Sequence, residues 1–302
     1  MTKFIMMVGL PGSGKSLRAK NLAVKENAII HSSDTLRQEL FGDENTQDNN
    51  EELFKELHRR IKQDLKGEQN VIYDATNISY KRRKAFLEEL KKINCEKICY
   101  LVATPYEKCL DQNKSRKRQI PEYVIKKMYL SFYIPQYYEG WDKINIIWND
   151  EEYNFDIHEL FNGANGLNKI SQDNPNHTLT IGEHCLKCAG ICEELVDDFE
   201  LNMAALYHDI GKRFTKQFKN SKGEDTDIAH YYQHHLVSAY DSMFYLRWLD
   251  DYTVLNVVKY IQWHMQPFFI KTDKAKNKLI NLIGQTAYEK LLILHKANKL
   301  AK

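Results

Sequence analysis

Two groups of residues in this 302-residue chain have types and spacings suited to chemistry. The first is Gly-Leu-Pro-Gly-Ser-Gly-Lys-Ser at 9–16, which fits the phosphate-binding template G-x-x-x-x-G-K-[ST]. A glycine-rich turn entering a helix aims several backbone N–H groups at one spot, at the positive end of the helix dipole. Gly9, Gly12 and Gly14 permit the turn and the close approach of phosphates. Lys15 can neutralise β and γ phosphates, and Ser16 can offer its hydroxyl to Mg²⁺. The pattern implies a bound nucleoside triphosphate and leaves the phosphate acceptor open. The second group is a series of histidines in the other half of the chain. They are His184 in EHCLKC, His208 beside Asp209 in LYHDIGK, His234 and His235 in AHYYQHHLVSAY, and His264 in QWHMQPF. Single histidines are mostly structural or exposed. Several of them recurring on separate helices around one adjacent carboxylate suit a divalent transition metal with positions open for water and phosphate. A carboxylate bridging two ions would leave a water between them that is nucleophilic near neutral pH.

Two further carboxylates bear on the acceptor. HSSDTLRQEL (31–40) puts Asp34 just after a short strand, with Arg37 one helical turn on. A carboxylate there can take the proton of an attacking hydroxyl, and the Arg can hold a phosphate or the carboxylate itself. VIYDATNISYKRRKAF (71–86) puts Asp74 at the end of another strand, followed by Thr76 and Asn77. It can orient the water of a Mg²⁺ ion or the arginine pair. Each Asp can equally be a helix N-cap.

The elements that must hold these groups alternate in the first half. Strands are expected at 4–8, 28–31, 71–74, 97–103 and 144–148, with helices from 15, over 34–41, over 51–66 and over 80–92. Strands separated by helices of this length imply βαβ units and a parallel sheet. NGANGLNKISQDNPNH (162–177) reads as a loop or linker. After it helical periodicity dominates, at 179–196, 200–208, 230–248, 252–264, 275–283 and 285–300. The expected boundary lies near 160–175, giving a first domain over 1–160 and an all-helical one over 175–302.

Composition agrees with such a two-domain globular chain: 43% hydrophobic and 28% charged residues. No apolar run approaches the ~18 residues of a membrane span, and the start carries no signal-peptide pattern, so a cytoplasmic protein with no membrane partner is expected. The net charge of +2 is unevenly divided: residues 1–150 hold 26 Lys and Arg against 21 Asp and Glu, the remainder 17 against 20. The excess concentrates in Lys81-Arg82-Arg83-Lys84 and in Lys114 to Arg118, which suits either a polyanionic substrate or solvated helix faces. Of the six cysteines, Cys185, Cys188 and Cys192 follow an apolar helical period with no fourth Cys at a zinc-like spacing. They are expected to be reduced, buried residues of a helix.

Over roughly 1–150 the chain resembles the P-loop kinases that include polynucleotide 5′-hydroxyl kinases. The shared order is GLPGSGKS, S-D-x-x-R, D-A-T-N followed by R-R, QNKSRKRQIPEYVIKKMYLSF (112–132) and YYEGWDKI (137–144). The resemblance implies Asp34 as general base, Arg37 on the acceptor's phosphate and Asp74 organising the acceptor site. It implies a lid whose Arg116 and Arg118 embrace the ATP phosphates, with Gly12, Ser13, Gly14, Lys15 and Ser16 as the rest of the nucleotide site. Gln112 stands where a further lid Arg is common.

Over roughly 175–300 the chain resembles the HD-domain phosphohydrolases, with His184, His208, Asp209, His234 and His264 in the order H…HD…H…H. His234 is preferred to His235 from the HYYQH spacing. The resemblance implies Lys212 near the substrate phosphate and two divalent ions such as Mn, Ni, Co, Fe or Zn. It also implies a last ligand at the place of Asn298, where a carboxylate is usual and a neutral amide stands here. Together the halves imply an α/β P-loop kinase domain, with a parallel sheet covered on both faces, followed by an all-α HD domain. The expected activity is end repair of RNA, with DNA as the other candidate. ATP and Mg²⁺ would serve 5′-phosphorylation, a metal centre would remove 2′,3′-cyclic or 2′/3′-phosphates, and a separate RNA ligase would act in trans. Two alternatives remain: a kinase of a nucleoside or other small metabolite with an HD phosphatase, and an ATP-binding sensor on a non-catalytic HD scaffold.

Overall fold

A computed structural model describes residues 1–43, 49–116, 118–175 and 177–302. Lys117 of the second basic cluster and Asn176 of the loop stretch lie outside the described residues. The chain divides into two compact units, one of 1–128 and 135–150, the other of 129–134 and 151–302.

The first unit runs β1 (Thr2–Val8), α1 (Lys15–Glu26), β2 (Ala28–Ser32), α2 (Ser33–Phe41), α3 (Asn50–Lys66), β3 (Asn70–Asp74), α4 (Tyr80–Glu89), β4 (Cys95–Ala103), α5 (Tyr106–Lys114), α6 (Glu122–Tyr129) and β5 (Lys143–Trp148). All five expected strands form, and the sheet is parallel in the order β2-β3-β1-β4-β5. The central β1 is buried from Phe4 through Val8, the continuous apolar run of a strand covered on both faces. Helix α3 buries Leu53, Leu57, Ile61 and Leu65, one side of a helix at four-residue intervals. In a parallel sheet all carboxyl ends share one edge, so the chain leaving β1, β2, β3, β4 and β5 delivers the glycine loop, Asp34, Asp74, Thr104 and Asn149 to the same side.

The second unit contains α7 (Ile157–Asn162), α8 (Ile181–Leu195), α9 (Phe199–Tyr207), α10 (Lys212–Thr215), β6 (Gln217–Lys219), β7 (Asp225–His230), α11 (His234–Tyr245), α12 (Asp251–Trp263), α13 (Gln266–Phe269), α14 (Asp273–Ile283) and α15 (Gln285–Leu300). Thr180 and Glu183 close a capping box at the start of α8. That helix turns Ile181, His184, Cys185, Cys188 and Cys192 inward, and the three cysteines are free and buried as expected. The unit is helical except for the antiparallel pair β6-β7, which lies between the helical readings of 200–208 and 230–248 and meets the second only at His230. Gly223 turns that hairpin with φ +84°, and α11 starts only after Gln233, at φ 63°. Among the described residues no helix is long and apolar enough to cross a membrane.

Candidate functional site

The first unit builds its site around the turn between β1 and α1. Gly12 and Gly14 have φ of 81° and 86°. A Cβ on Gly12 would lie 2.2 Å from the Cys109 carbonyl oxygen, so glycine is required there twice over. Three strand ends brace the loop. Gly9 N–H donates to Thr76 O at 3.1 Å, Thr104 Oγ1 to Ser13 O at 3.1 Å, and Asn149 Nδ2 to Ser13 O at 3.2 Å. Helix α1 opens at Gly14 with no side-chain cap, which leaves its first-turn amides for an anion.

Lys15 is buried, and its Nζ donates to Leu10 O at 2.7 Å. Burial lowers its pKa against the opposing pull of Asp74. Asp74 is buried too; its carboxyl is raised by desolvation, opposed by Lys15 and by a hydrogen bond from the Ser16 side chain. Asp74 therefore sits with Lys15 and Ser16 of the glycine loop, and the charge of Arg116 reaches both Lys15 and Asp74. Asp34 is half exposed at the start of α2, between Arg118 Nη1 at 2.9 Å and Arg37 Nη1 at 3.3 Å. Arg37 is buried, with Nη2 on Asn50 Oδ1 at 2.8 Å and, among the described residues, no partner for Nε.

One residue of the first basic cluster departs from the expectation, while Lys81 and Arg82 are exposed. Arg83 is fully buried in a fork with Glu139, Nε to Oε2 at 2.7 Å and Nη2 to Oε1 at 2.6 Å, so it cannot face a polyanion. Its Nη1 donates to Asn77 O at 2.8 Å, and Asn77 Nδ2 donates to Met7 O at 2.9 Å. Asn77 has φ 49°, a left-handed conformation that Asn tolerates. The buried pair thus locks the D-A-T-N turn against the end of β1.

In the second unit His184, His208, His234 and His264 converge on Asp209, all five residues buried. Nε2 of His184 and of His208 each lie 3.3 Å from Asp209 Oδ2. Nε2 of His234 and of His264 lie 3.2 and 3.6 Å from Oδ1. His234, not His235, faces the carboxylate. The four come from α8, the end of α9, the start of α11 and the end of α12.

The donor set fits metal ions on three counts. Nδ1 of His208, His234 and His264 each lie 2.7 Å from a backbone carbonyl, of Ala205, Tyr231 and Ile261. A carbonyl accepts only from N–H, so Nε2 of each neutral ring carries a bare lone pair. Burial lowers the pKa of all three rings and keeps them neutral. Nε2 atoms face each other at 3.2 Å in both pairs, His184 with His208 and His234 with His264; in the second pair carbonyls fix both tautomers, so the two lone pairs oppose each other, which a cation relieves. Among the described residues, Asp209 Oδ1 has no hydrogen-bond donor. Burial alone would raise the Asp209 carboxyl, but the Lys212 ammonium beside it holds it well below the usual range. Each carboxylate oxygen thus serves one imidazole pair, the disposition of a bridge between two sites.

Lys212 Nζ donates to Asp209 Oδ2 at 2.7 Å. Asn298 is buried on α15, one turn before Ala301, whose carbonyl oxygen lies 3.3 Å from His184 Nδ1. Two residues at this site were not singled out from the sequence, because both fall in the stretch read as a linker. Gln172 accepts from Lys212 Nζ at 2.8 Å, and the His177 ring stands edge-on to His184 with centroids 5.5 Å apart. The NPNH tetrapeptide was the available signal for His177; Gln172 offered none.

Comparison with known proteins assigns each unit. The AAA domain profile matches residues 4–135, and the HD domain profile matches residues 181–296. The chain joins a P-loop kinase domain to an HD domain. It is 29% identical to the L-seryl-tRNA(Sec) kinase of Methanococcus maripaludis over 189 residues, 59% of this chain and 69% of that protein. Among solved structures it is similar to a chain of the Pnkp1/Rnl/Hen1 RNA repair complex, at 25% identity and a TM-score of 0.39, and spans 42% of that chain. A gluconokinase from Sinorhizobium meliloti 1021 is 14% identical with a TM-score of 0.36, over 48% of this chain and 82% of its own.

Proposed function

We propose that the kinase–HD chain is a bifunctional RNA end-healing enzyme, which phosphorylates 5′-hydroxyl ends and removes 2′,3′-cyclic or 2′/3′-phosphates. The observation that carries the acceptor class is Asp34 flanked by Arg37 and Arg118. A proton acceptor beside the buried guanidinium of Arg37 suits an alcohol that carries a phosphate of its own, as a 5′-hydroxyl polynucleotide end does, better than a neutral metabolite. DNA ends satisfy the same chemistry.

On this reading Asp34 takes the proton of the attacking 5′-hydroxyl while Arg37 holds the acceptor's phosphate. Lys15, Arg116 and Arg118 spread positive charge along the ATP phosphates, and the turn through Gly12, Ser13 and Gly14 supplies backbone N–H groups. Ser16, with the carboxylate of Asp74 hydrogen-bonded to it, would hold Mg²⁺, which would further neutralise the triphosphate. Arg118 leaves Asp34 for the phosphates when ATP is present, which frees the carboxylate to act as base.

In the HD domain His184 and His208 would hold one ion, His234 and His264 a second, and Asp209 both, with Asn298 as a neutral additional ligand. Such ions supply Lewis acidity and an activated water at neutral pH. Lys212 would meet the phosphate, and the tautomers fixed by Ala205, Tyr231 and Ile261 leave the imidazole lone pairs free to hold the ions. A ligase acting in trans would seal the healed ends.

The similarity to a seryl-tRNA kinase favours a second acceptor, the serine hydroxyl of an aminoacylated tRNA. One panel separates the readings: γ-labelled ATP with 5′-hydroxyl RNA, 5′-hydroxyl DNA, seryl-tRNA and free nucleosides, and in parallel a 3′-phosphate RNA with Mn²⁺. Label on the 5′-hydroxyl RNA and release of its 3′-phosphate are expected. Label confined to nucleosides makes the chain a small-molecule kinase, and ATP binding with no transfer and no release makes it a sensor.

A further inference from the structure

Gln172 is 1% exposed, although it lies in a stretch rich in Asn, Gly and Ser. Its amide is oriented without ambiguity. Nε2 donates to Leu179 O at 3.2 Å, so Oε1 is the atom that meets Lys212 Nζ at 2.8 Å. Lys212 is itself buried, with its ammonium shared between that amide oxygen and Asp209 Oδ2 at 2.7 Å, and 5.3 Å above the Tyr231 ring. Two of its three N–H donors are spent, and one remains among the described residues.

The segment around Gln172 is clamped to the hairpin side of the unit. Tyr231 Oη donates to Gln172 O, Lys216 Nζ to Ser171 O at 2.6 Å, Ala229 N to Asp173 O at 2.8 Å, and Asn174 Nδ2 to Ala229 O at 3.3 Å. Tyr231 belongs to both arrangements: its carbonyl fixes the tautomer of His234, and its hydroxyl fixes the backbone of Gln172.

We propose that Gln172 is a positioning residue that aims Lys212 at the phosphate of the HD-domain substrate, which makes residues 171–174 part of that site. The inference rests on the phosphohydrolase reading of the second unit. A lysine with only Asp209 as partner would close onto the carboxylate as a simple ion pair. The amide oxygen gives the ammonium a second acceptor, holds Nζ between two fixed points, and so orders a long, rotamer-rich side chain before the substrate arrives. Because the amide is neutral, it does this without repelling an incoming phosphate. A carboxylate at the same position would accept the same hydrogen bond and repel the substrate.

The test uses the full chain loaded with Mn²⁺ and four variants: Gln172→Met, Gln172→Glu, Lys212→Met and the Gln172→Met/Lys212→Met double. Three quantities are read: the Kd of inorganic phosphate by calorimetry, the Kd of Mn²⁺, and KM and kcat for p-nitrophenyl phosphate. Gln172→Met is expected to raise the phosphate Kd and KM about tenfold, the scale of one hydrogen bond to a charged group, with the Mn²⁺ Kd within about twofold. It is expected to add nothing in the Lys212→Met background, because it acts through the ammonium. Gln172→Glu is expected to weaken phosphate at least as much with an unchanged melting temperature, and it decides alone should the Met variant not fold. Equal losses with and without Lys212, or a Gln172→Glu protein that binds phosphate like the wild type, overturn the inference alone. A wild-type protein that takes up neither Mn²⁺ nor phosphate overturns the phosphohydrolase reading, and the inference with it.

Discussion

At the scale of single residues, Asp34 has the most specific role to test. It is the half-exposed carboxylate beside Arg37 and Arg118, whereas Asp74 is buried with Lys15 and Ser16. The two aspartates look alike in the sequence, each at a strand end before a helix, and burial and partners separate them. Asp34→Ala is expected to lower the transfer rate by about 10²–10⁴-fold, the usual size of a general-base contribution, with ATP affinity little changed. Transfer within about threefold of the wild type would remove Asp34 as the base. Asn298 raises the parallel question in the HD domain. A neutral amide there gives an ion less charge than a carboxylate would, and Asp209 carries the negative charge of the cluster named above.

At the scale of elements, the packing of α3 and α4 on β3 makes a pH-dependent contribution to stability. His58 on α3 stacks on Phe86 of α4 at 3.9 Å and meets the edge of Tyr73 of β3 at 5.7 Å. Burial pushes its pKa from the ordinary 6.5 down to about 4, opposed weakly by Glu89. Between those values the unfolded chain binds the proton and the folded chain does not. The contribution is therefore fully present above about 6.5 and is lost as pH falls towards about 4. Between pH 7 and pH 5 that loss is on the order of 2 kcal/mol. His58→Phe is expected to lose about 2 kcal/mol less than the wild type over this interval, as read from urea unfolding of the first unit. Identical pH dependence in the two proteins would mean that His58 is not the responsible group. The Arg83–Glu139 pair works at the same scale: a basic residue that sequence reading assigned to a surface cluster instead ties α4 to the chain before β5.

At the scale of the whole molecule, the helical unit includes a short piece of chain from the middle of the sequence. Tyr129 and Phe132 are buried, with Tyr129 5.0 Å from Phe214 and 5.5 Å from Tyr240, and Phe132 4.9 Å from Tyr240. Ile134 N donates to Gln262 Oε1 at 2.7 Å, two residues before His264. A fragment beginning at residue 151 lacks these rings. It is expected to melt several degrees below the helical unit of the full chain, as read by calorimetry. It is also expected to recover on addition of a 129–134 peptide at high concentration. An unchanged melting temperature would show that the segment contributes no stability. The chemistry of the two units should nevertheless separate: Asp209→Ala is expected to abolish metal-dependent phosphate release and leave transfer from ATP intact, since Asp209 belongs to the second unit alone.

The sequence by itself determined the parts whose information is local. A buried strand, a glycine turn and a helix start are contiguous in the chain, so GLPGSGKS and Lys15 were legible, as were five parallel strands marked by short apolar runs between helices. The clustering of the histidines around Asp209 was legible as well, because His208 and Asp209 are adjacent and the other histidines recur at helix ends. Tertiary structure decided what depends on residues far apart in sequence. Arg83 is buried only because Glu139 comes to meet it, and Asp74 differs from Asp34 only through Lys15 and Ser16. Gln172 joins the site because Lys212, Leu179 and Tyr231 fix it from three directions. The hairpin β6-β7 escaped because its strands are short and mostly exposed, without the apolar alternation that marks a half-buried pair. In each case the deciding quantity is desolvation or a long-range partner, and neither is written in the spacing of neighbouring residues.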